Sequence, residues 1–183
     1  MLDLWDRRVK VTSHMIGEAA RRNPALAKDI VQRGHEAAGH GPRWNSQYAM
    51  SRPVKRKFIK DAADMIEKVT GQRSTGYNCN WLRRGPNTLS LLQELGFSYH
   101  IVDVSRDEPF IQKVDAKDYI VVPYTLRNND ILLIEGSNST PGQFLDQINL
   151  DFDQLYDEGA TRHRMMSISA YDRISGTPAM VRV

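Results

Sequence analysis

Cysteine is almost absent from this 183-residue sequence, which contains Cys79 and no other. A single thiol excludes an intramolecular disulfide scaffold and a zinc cage built from cysteines, and it is typical of proteins from a reducing compartment. No apolar run approaches the ~20 residues that span a bilayer. Charged residues at Asp3, Asp6, Arg7 and Arg8 interrupt the apolar positions that a secretory leader needs. We therefore expect a soluble cytoplasmic protein that makes no membrane contact.

A strong excess of one charge is also missing, because 25 basic residues face 22 acidic residues for a formal net charge of +3. The tight basic clusters are Arg7-Arg8, Lys55-Arg56-Lys57 and Arg83-Arg84. Each cluster is interpreted first as a solvated helix face or loop, so we expect no nucleic-acid partner. Gly-x-Gly-x-x-Gly and P-loop patterns are lacking too, and nothing in the sequence supports nucleotide binding.

What the sequence does contain is an alternation of short β-rich runs with amphipathic helices. Strands are predicted at 9–16, 74–78, 98–102, 119–122 and 165–170, and helices are predicted to begin near 23, 51, 86 and 140. In the longest helix, the predicted core-facing stripe is Val54, Phe58, Ala62, Ile66 and Val69. The alternation favours parallel β–α units, as a barrel or a doubly wound sheet, in one domain spanning 1–183. Functional residues are then expected on loops at the carboxyl ends of strands.

The segment from Gly34 to Trp44 carries the strongest chemical signal. Two histidines five residues apart, His35 and His40, suggest a metal site, but in a strand they point to opposite faces and do not share an ion. We therefore interpret His35 as a hydrogen-bonded histidine near the core. His14, on the first predicted strand, is likewise interpreted as a satisfied core histidine.

Gly-His-Glu at 34–36, followed by His-Gly-Pro-Arg-Trp at 40–44, resembles the second motif region of the polysaccharide deacetylase (NodB-homology) superfamily, above all its allantoinase-like branch. Segments 9–17, 76–88, 105–110, 122–130 and 165–178 are similar to other parts of that branch, so the resemblance covers nearly the whole chain. It implies an α/β fold, an incomplete (β/α) barrel with parallel strands. It also implies hydrolysis of a non-peptide carbon–nitrogen bond in a carbohydrate or small-molecule amide or ureide.

In metal-dependent members of the superfamily, one aspartate and two histidines spaced His-x-x-x-His hold a divalent ion. His40 matches the first histidine, but Trp44 stands where the second would be, and an indole cannot replace an imidazole ligand. The resemblance therefore implies no cofactor, in keeping with a branch understood to work without a metal. Zinc held in another way is left open.

The resemblance assigns catalytic roles to His40, Arg84 and Glu36. His40 is expected to act as a hydrogen-bond donor or proton shuttle near neutral pH. Arg84 is expected to orient an acidic partner, with Asp103 or Asp107 as candidates. Glu36 is either a base or a structural carboxylate.

The expected substrate-binding residues lie on predicted loops. They are Trp44, Arg43, Asn80, Trp81, Tyr171 and Asp107. Trp44 offers a flat wall for a ring-shaped substrate. Tyr171 stands near the place where the family often carries a histidine acid, and its ordinary pKa of about 10 suits it poorly to that role.

Two further departures from the family bear on activity. The first motif normally precedes the region that matches 2–8, and the closing barrel elements normally follow the region that ends at Val183. We therefore expect a chain shortened at both ends, without the aspartate of the first motif. The competing hypothesis is a catalytically inactive homologue that binds a carbohydrate or small ring, or serves as a subunit.

An open barrel leaves unpaired strand edges and apolar faces, which favour pairing with another chain. We therefore expect a homo-oligomer, a marginally stable protein or a fragment of a longer product. Size-exclusion chromatography with light scattering should give a mass above the 20.9 kDa of one chain. A stable, well-folded monomer at that mass contradicts the prediction.

Overall fold

The computed structural model describes residues 9–183, and these residues form two compact units. The sheet unit comprises the described residues up to Asp103 together with Phe110–Val122, and the helical unit comprises Val104–Pro109 and Pro123–Val183. The single domain expected from the sequence therefore stays a prediction. The interpretations of the charged positions between 3 and 8 concern residues outside the described range. In the part that is described, no helix combines the length and apolar character needed to cross a bilayer.

Six strands of the sheet unit form one sheet in the order β1-β2-β3-β4-β6-β5. They are β1 Thr12–Met15, β2 Glu36–Gly39, β3 Gly76–Tyr77, β4 Tyr99–His100, β5 Phe110–Val114 and β6 Lys117–Val121. All neighbours are parallel except β5, which pairs antiparallel with β6. The sequence did not predict this hairpin, because its turn is Asp115-Ala116, with φ of 49° and 64°, rather than an Asn-Gly or Asp-Gly pair.

Four helices belong to the sheet unit, and their starts agree with the sequence signals where these were recognised. They are α1 Gly17–Arg22, α2 Pro24–Gln32, α3 Arg52–Thr70 and α4 Thr88–Glu94. The Asn23 side chain accepts a hydrogen bond from the backbone N–H of Leu26 at 3.3 Å, which caps α2. Gly71 ends α3 with a φ of +77°, which glycine adopts without steric cost.

The predicted core-facing stripe of α3 is confirmed except at its first position. Ala62 and Ile66 are buried, and Phe58 and Val69 pack against the core, whereas Val54 is 55% exposed. At that end of the helix the buried residue is instead Lys55, whose ammonium donates to a backbone carbonyl at 2.7 Å. The interpretation of Lys55 as part of a solvated face is therefore wrong.

The helical unit contains α5 Pro141–Glu158, α6 Asp172–Ser175 and α7 Pro178–Arg182, together with a π-helix at Ile131–Gly136. The strand predicted at 165–170 does not form. Within the described residues this segment contributes one isolated bridge, between Asn129 and Ser169. The reason lies in the partner segment, because that segment enters the π-helix two residues after the bridge.

The position of the core on α3 can be tested by truncation. Replacing Ile59 with Ala should lower the free energy of unfolding by about 2–5 kcal/mol, because the side chain is fully buried. Val54→Ala is the matched control and should change it by about 0.5 kcal/mol or less. Denaturant unfolding followed by circular dichroism measures both changes. A larger loss of stability for Val54→Ala than for Ile59→Ala would contradict the exposed position of Val54.

Candidate functional site

Polar residues follow the carboxyl ends of three parallel strands of the sheet unit, at one edge of the sheet. His40 directly follows β2, Asn78 directly follows β3, and Asp103 comes three residues after β4. Carboxyl ends of parallel strands lie at the same edge, where α/β proteins bind their ligands. We call this edge, together with the loops 40–48 and 78–87, the His40 edge.

His40 is held by a hydrogen bond that determines which ring nitrogen is free. Its Nδ1 lies 3.0 Å from the carbonyl oxygen of Asn78. A carbonyl only accepts, so Nδ1 carries the hydrogen and Nε2 of the neutral ring is an acceptor. Burial lowers the pKa of His40 below its ordinary value, despite the opposing hydrogen bond. Nε2 is thus available as an acceptor or base at neutral pH rather than as a donor.

His14 is a neighbour of His40 that the sequence analysis missed. It lies opposite Ala38 in the parallel β1–β2 pair, so it projects from the same face of the sheet as His40. The two ring centroids are 6.1 Å apart. The Nδ1 atom of His14 is enclosed without a hydrogen-bond partner among the described residues, so the interpretation as a satisfied core histidine is wrong. The parallel register of β1 and β2 is the signal that would have placed it here.

The loop after His40 is anchored to the first turn of α1. The carbonyl oxygens of Gly41 and Pro42 accept hydrogen bonds from the N–H groups of Gly17 and Glu18, both at 3.0 Å. These donors have no partner inside the helix, so the loop satisfies them. Gly41 has a φ of +83°, and a Cβ there would approach the ring of Phe58 to 2.7 Å. Only glycine fits this turn without displacing that ring.

Beyond this turn the two predicted binding residues of the loop are exposed. Arg43 lies on the surface, and the indole of Trp44 is 47% exposed. Trp44 meets the imidazole of His40 edge to face, with 4.6 Å between the ring centroids. It therefore forms an aromatic wall beside His40, as the sequence suggested for a ring-shaped ligand.

Glu36 lies at the opposite end of β2. Its carboxylate accepts hydrogen bonds from the hydroxyls of Thr12, Thr75 and Tyr99 at 2.8, 2.9 and 2.8 Å. Four residues of extended chain, about 13 Å, separate it from His40. The two side chains cannot act on one bond, and the geometry favours the structural alternative for Glu36.

The loop after β3 presents the other predicted residues of the sheet unit. The guanidinium of Arg84 lies 3.8 Å from the carboxylate of Asp103, which confirms the expected pairing with that acid. Asn80 begins a short 3₁₀ turn and is half-buried, whereas the following Trp81 is 60% exposed. Burial, followed by the charge of Arg84, lowers the pKa of His100 to about 4.

Tyr171 and Asp107 belong to the helical unit. The backbone N–H of Tyr171 donates to the buried carboxylate of Asp130 at 2.7 Å, and the Ser175 hydroxyl donates to the same oxygen at 2.6 Å. Burial raises the pKa of the Tyr171 phenol. Asp107 is exposed and lines a cavity of about 270 Å³. That these two residues share a site with His40 stays a prediction.

The donor set does not fit the divalent ion of the metal-dependent relatives. In the range 9–183, no three His, Cys, Asp or Glu side chains are grouped closely enough to hold a metal ion. His40 already uses Nδ1 for the Asn78 carbonyl, and the neighbouring ring at position 44 is an indole.

A family model for polysaccharide deacetylase matches residues 4–100, which is just over half of the chain. This chain belongs to the polysaccharide deacetylase family. A solved structure named a probable polysaccharide deacetylase, from Pseudomonas aeruginosa PAO1, is 34% identical with a TM-score of 0.87, covering 99% of this chain and 61% of that one. The solved structure of the allantoinase PuuE is 30% identical with a TM-score of 0.88 and the same two coverages.

A curated protein of Schizosaccharomyces pombe, named provisionally as a polysaccharide deacetylase, is 25% identical over 202 residues, which cover all of this chain and 62% of that protein. The chain thus spans about three fifths of the length of these relatives. The likeness confirms the family and the fold class expected from the sequence, an incomplete (β/α) barrel of the polysaccharide deacetylase type.

The environment of His14 makes the folding stability of this chain depend on pH. Burial, and secondarily the charge of His40, lowers the pKa of His14 from 6.5 to about 3. At pH values between these two pKa values, His14 is protonated in the unfolded chain and unprotonated in the folded chain. Folding stability therefore falls as the pH is lowered. His14→Phe should flatten this slope by up to about 1.4 kcal/mol per pH unit.

Denaturant unfolding at pH 4, 5, 6 and 7 measures the slope. Tyr48→Phe, at an exposed position of the same edge, is the control and should leave the slope unchanged. An equal slope in the His14 variant and the unaltered chain would contradict the burial of an unprotonated imidazole.

Proposed function

We propose that this chain hydrolyses a non-peptide carbon–nitrogen bond of an N-acetylated carbohydrate or a cyclic ureide, at the His40 edge and without a metal. The observation that carries the proposal is the fixed tautomer of His40, whose Nε2 is an acceptor at neutral pH. The names of the two solved relatives, a probable polysaccharide deacetylase and an allantoinase, support the same class of bond.

In the proposed reaction, His40 Nε2 accepts a proton from a water molecule whose oxygen attacks the carbonyl carbon of the substrate. The negative charge that develops on the carbonyl oxygen is stabilised by a positioned cation, for which Arg84 is the candidate on this edge. The imidazolium then donates its proton to the leaving nitrogen as the carbon–nitrogen bond breaks. An N-acetyl substrate yields acetate and an amine.

Ring-shaped substrates are favoured by two exposed aromatic side chains on the neighbouring loops. Trp44 lies beside His40, and Trp81 stands on the loop that carries Arg84. Indole faces bind the apolar faces of sugar and heterocyclic rings while polar neighbours bind their edges. Asn80 and Arg43 are proposed as polar contacts for the remainder of the substrate.

A second candidate function is binding of the same ligands without turnover. It is favoured by the position of Glu36, whose carboxylate is engaged by three hydroxyls far along the strand from His40. In this alternative His40 contributes a hydrogen bond to the ligand but transfers no proton.

Assays with N-acetylglucosamine oligomers and with allantoin separate these candidates. Turnover should persist with EDTA and should persist to below pH 6.5, because burial lowers the pKa of the base. His40→Ala should reduce kcat by about 10²–10⁴-fold, which is the usual contribution of a general base. His163→Ala, at an exposed position of the helical unit, is the control and should retain full activity.

Calorimetric titration with the same ligands completes the test. Binding without any turnover would contradict the hydrolase and support the binding protein, with His40→Ala then weakening affinity only modestly. Turnover that is lost with EDTA and recovered with zinc would contradict the metal-free proposal.

A further inference from the structure

Lys55 is a fully buried lysine in the second turn of α3, with no exposed side-chain surface. Its Nζ donates to the carbonyl oxygen of Pro86 at 2.7 Å, and none of the ion pairs among the described residues involves it. A buried ammonium with one acceptor is costly, and burial lowers its pKa. An apolar side chain of the same length would fill this space without that cost, so the bond to Pro86 needs an explanation.

The bond ends on a loop with an unfavourable backbone. Residues 79–87 include three non-glycine residues in the left-handed region, Trp81, Leu82 and Asn87, with φ of 52°, 55° and 63°. Such conformations cost free energy and persist only where surrounding contacts hold them. Trp81 and Arg84, two of the candidate binding and catalytic residues, are presented by this loop. The surrounding contacts therefore determine where both side chains lie.

Gly85 brings the second loop of the His40 edge against the first. A Cβ at Gly85 would lie 2.0 Å from the carbonyl oxygen of Tyr48 and 2.6 Å from Lys55 Nζ. The backbones of the two loops are therefore in direct contact here, with the lysine ammonium at the same point. The backbone N–H of Gly85 donates to the Thr88 hydroxyl at 3.1 Å, which joins the loop to α4.

We propose that Lys55 is a positioning residue, which holds the strained loop 79–87 against Tyr48 through the Pro86 carbonyl and so fixes Trp81 and Arg84 for substrate. The part that concerns substrate rests on the proposed function, whereas the part that concerns the loop does not. A core-filling role alone would require only the methylene stem, which methionine reproduces.

Lys55→Met tests the bond, because it keeps the length of the stem and removes the donor. Lys57→Met is the matched control, two residues along the same helix, at an exposed lysine paired with Asp61. The thermal midpoint of Lys55→Met should equal or exceed that of the unaltered chain, since replacing a buried charge by an apolar group is often neutral or stabilising.

Amide hydrogen exchange measures the loop directly. The N–H groups of Leu82, Arg83, Arg84 and Thr88 all donate to carbonyls within this segment. Their exchange should become at least tenfold faster in Lys55→Met, while the amides of α3 and the whole of Lys57→Met stay unchanged. Unchanged exchange in the loop, or an equal acceleration throughout the sheet unit, would overturn the proposal.

Gly85→Ala disturbs the contact between loop 79–87 and Tyr48 without changing the lysine. The added Cβ must push the loop away from Tyr48, so the same amides should exchange faster. This variant decides the matter if Lys55→Met does not fold, and unchanged loop exchange in it would again overturn the proposal.

Kinetics separates this inference from the proposed function. With a substrate that the unaltered chain hydrolyses, Lys55→Met should lower kcat/KM on the order of tenfold, with a higher KM through the displaced Trp81 and a lower kcat through the displaced Arg84. Values of kcat and KM equal to those of Lys57→Met would contradict the part of the proposal that concerns substrate. If no substrate is hydrolysed, the proposed function fails and the exchange measurement still decides the role of Lys55.

Discussion

The parallel pairing of β2 with β3 determines the geometry of the His40 edge. The strands share the register Gly39 to Tyr77, and the ladder continues for one bond beyond it, where the N–H of Asn78 donates to the carbonyl of Gly39 at 2.9 Å. That bond brings the Asn78 carbonyl within reach of His40 Nδ1, which selects the tautomer of the ring. A shift of register by one residue would turn His40 to the face covered by helices, and the acceptor at Nε2 would be lost.

The same face of the sheet serves two purposes at its two ends. At the amino ends of the strands, the Glu36 carboxylate accepts hydrogen bonds from the hydroxyls of Thr12, Thr75 and Tyr99, and these bonds join neighbouring strands. At the carboxyl ends, His40 and Arg84 lie on the two loops that also carry the exposed indoles of Trp44 and Trp81. Strand length keeps the two ends about 13 Å apart, which favours the structural alternative for Glu36.

Several features of this arrangement could be read from the sequence. The starts of α2, α3 and α4 were recognisable from prolines and capping residues and their ends from the glycines that follow, since these residues act through local backbone geometry. The position of His40 after a strand followed from the alternation of strands and helices, and the pairing of Arg84 with Asp103 was among the expected contacts. Each of these depends on short-range preferences or on the rule that parallel strands end at one edge.

Other features depended on contacts between distant segments. Lys55 could not be recognised as buried, because a lysine is retained in a core only where a partner such as the Pro86 carbonyl, 31 residues away, accepts a hydrogen bond from its ammonium. The proximity of His14 to His40 required the strand register, and the failure of the strand at 165–170 depended on the segment opposite. The sequence by itself determined the family, the fold class and the loop that contains the candidate site, because motifs and periodicity are local. Only the tertiary structure decided which ring nitrogen of His40 is free and that Glu36 stands apart from it, because both follow from which strands lie side by side.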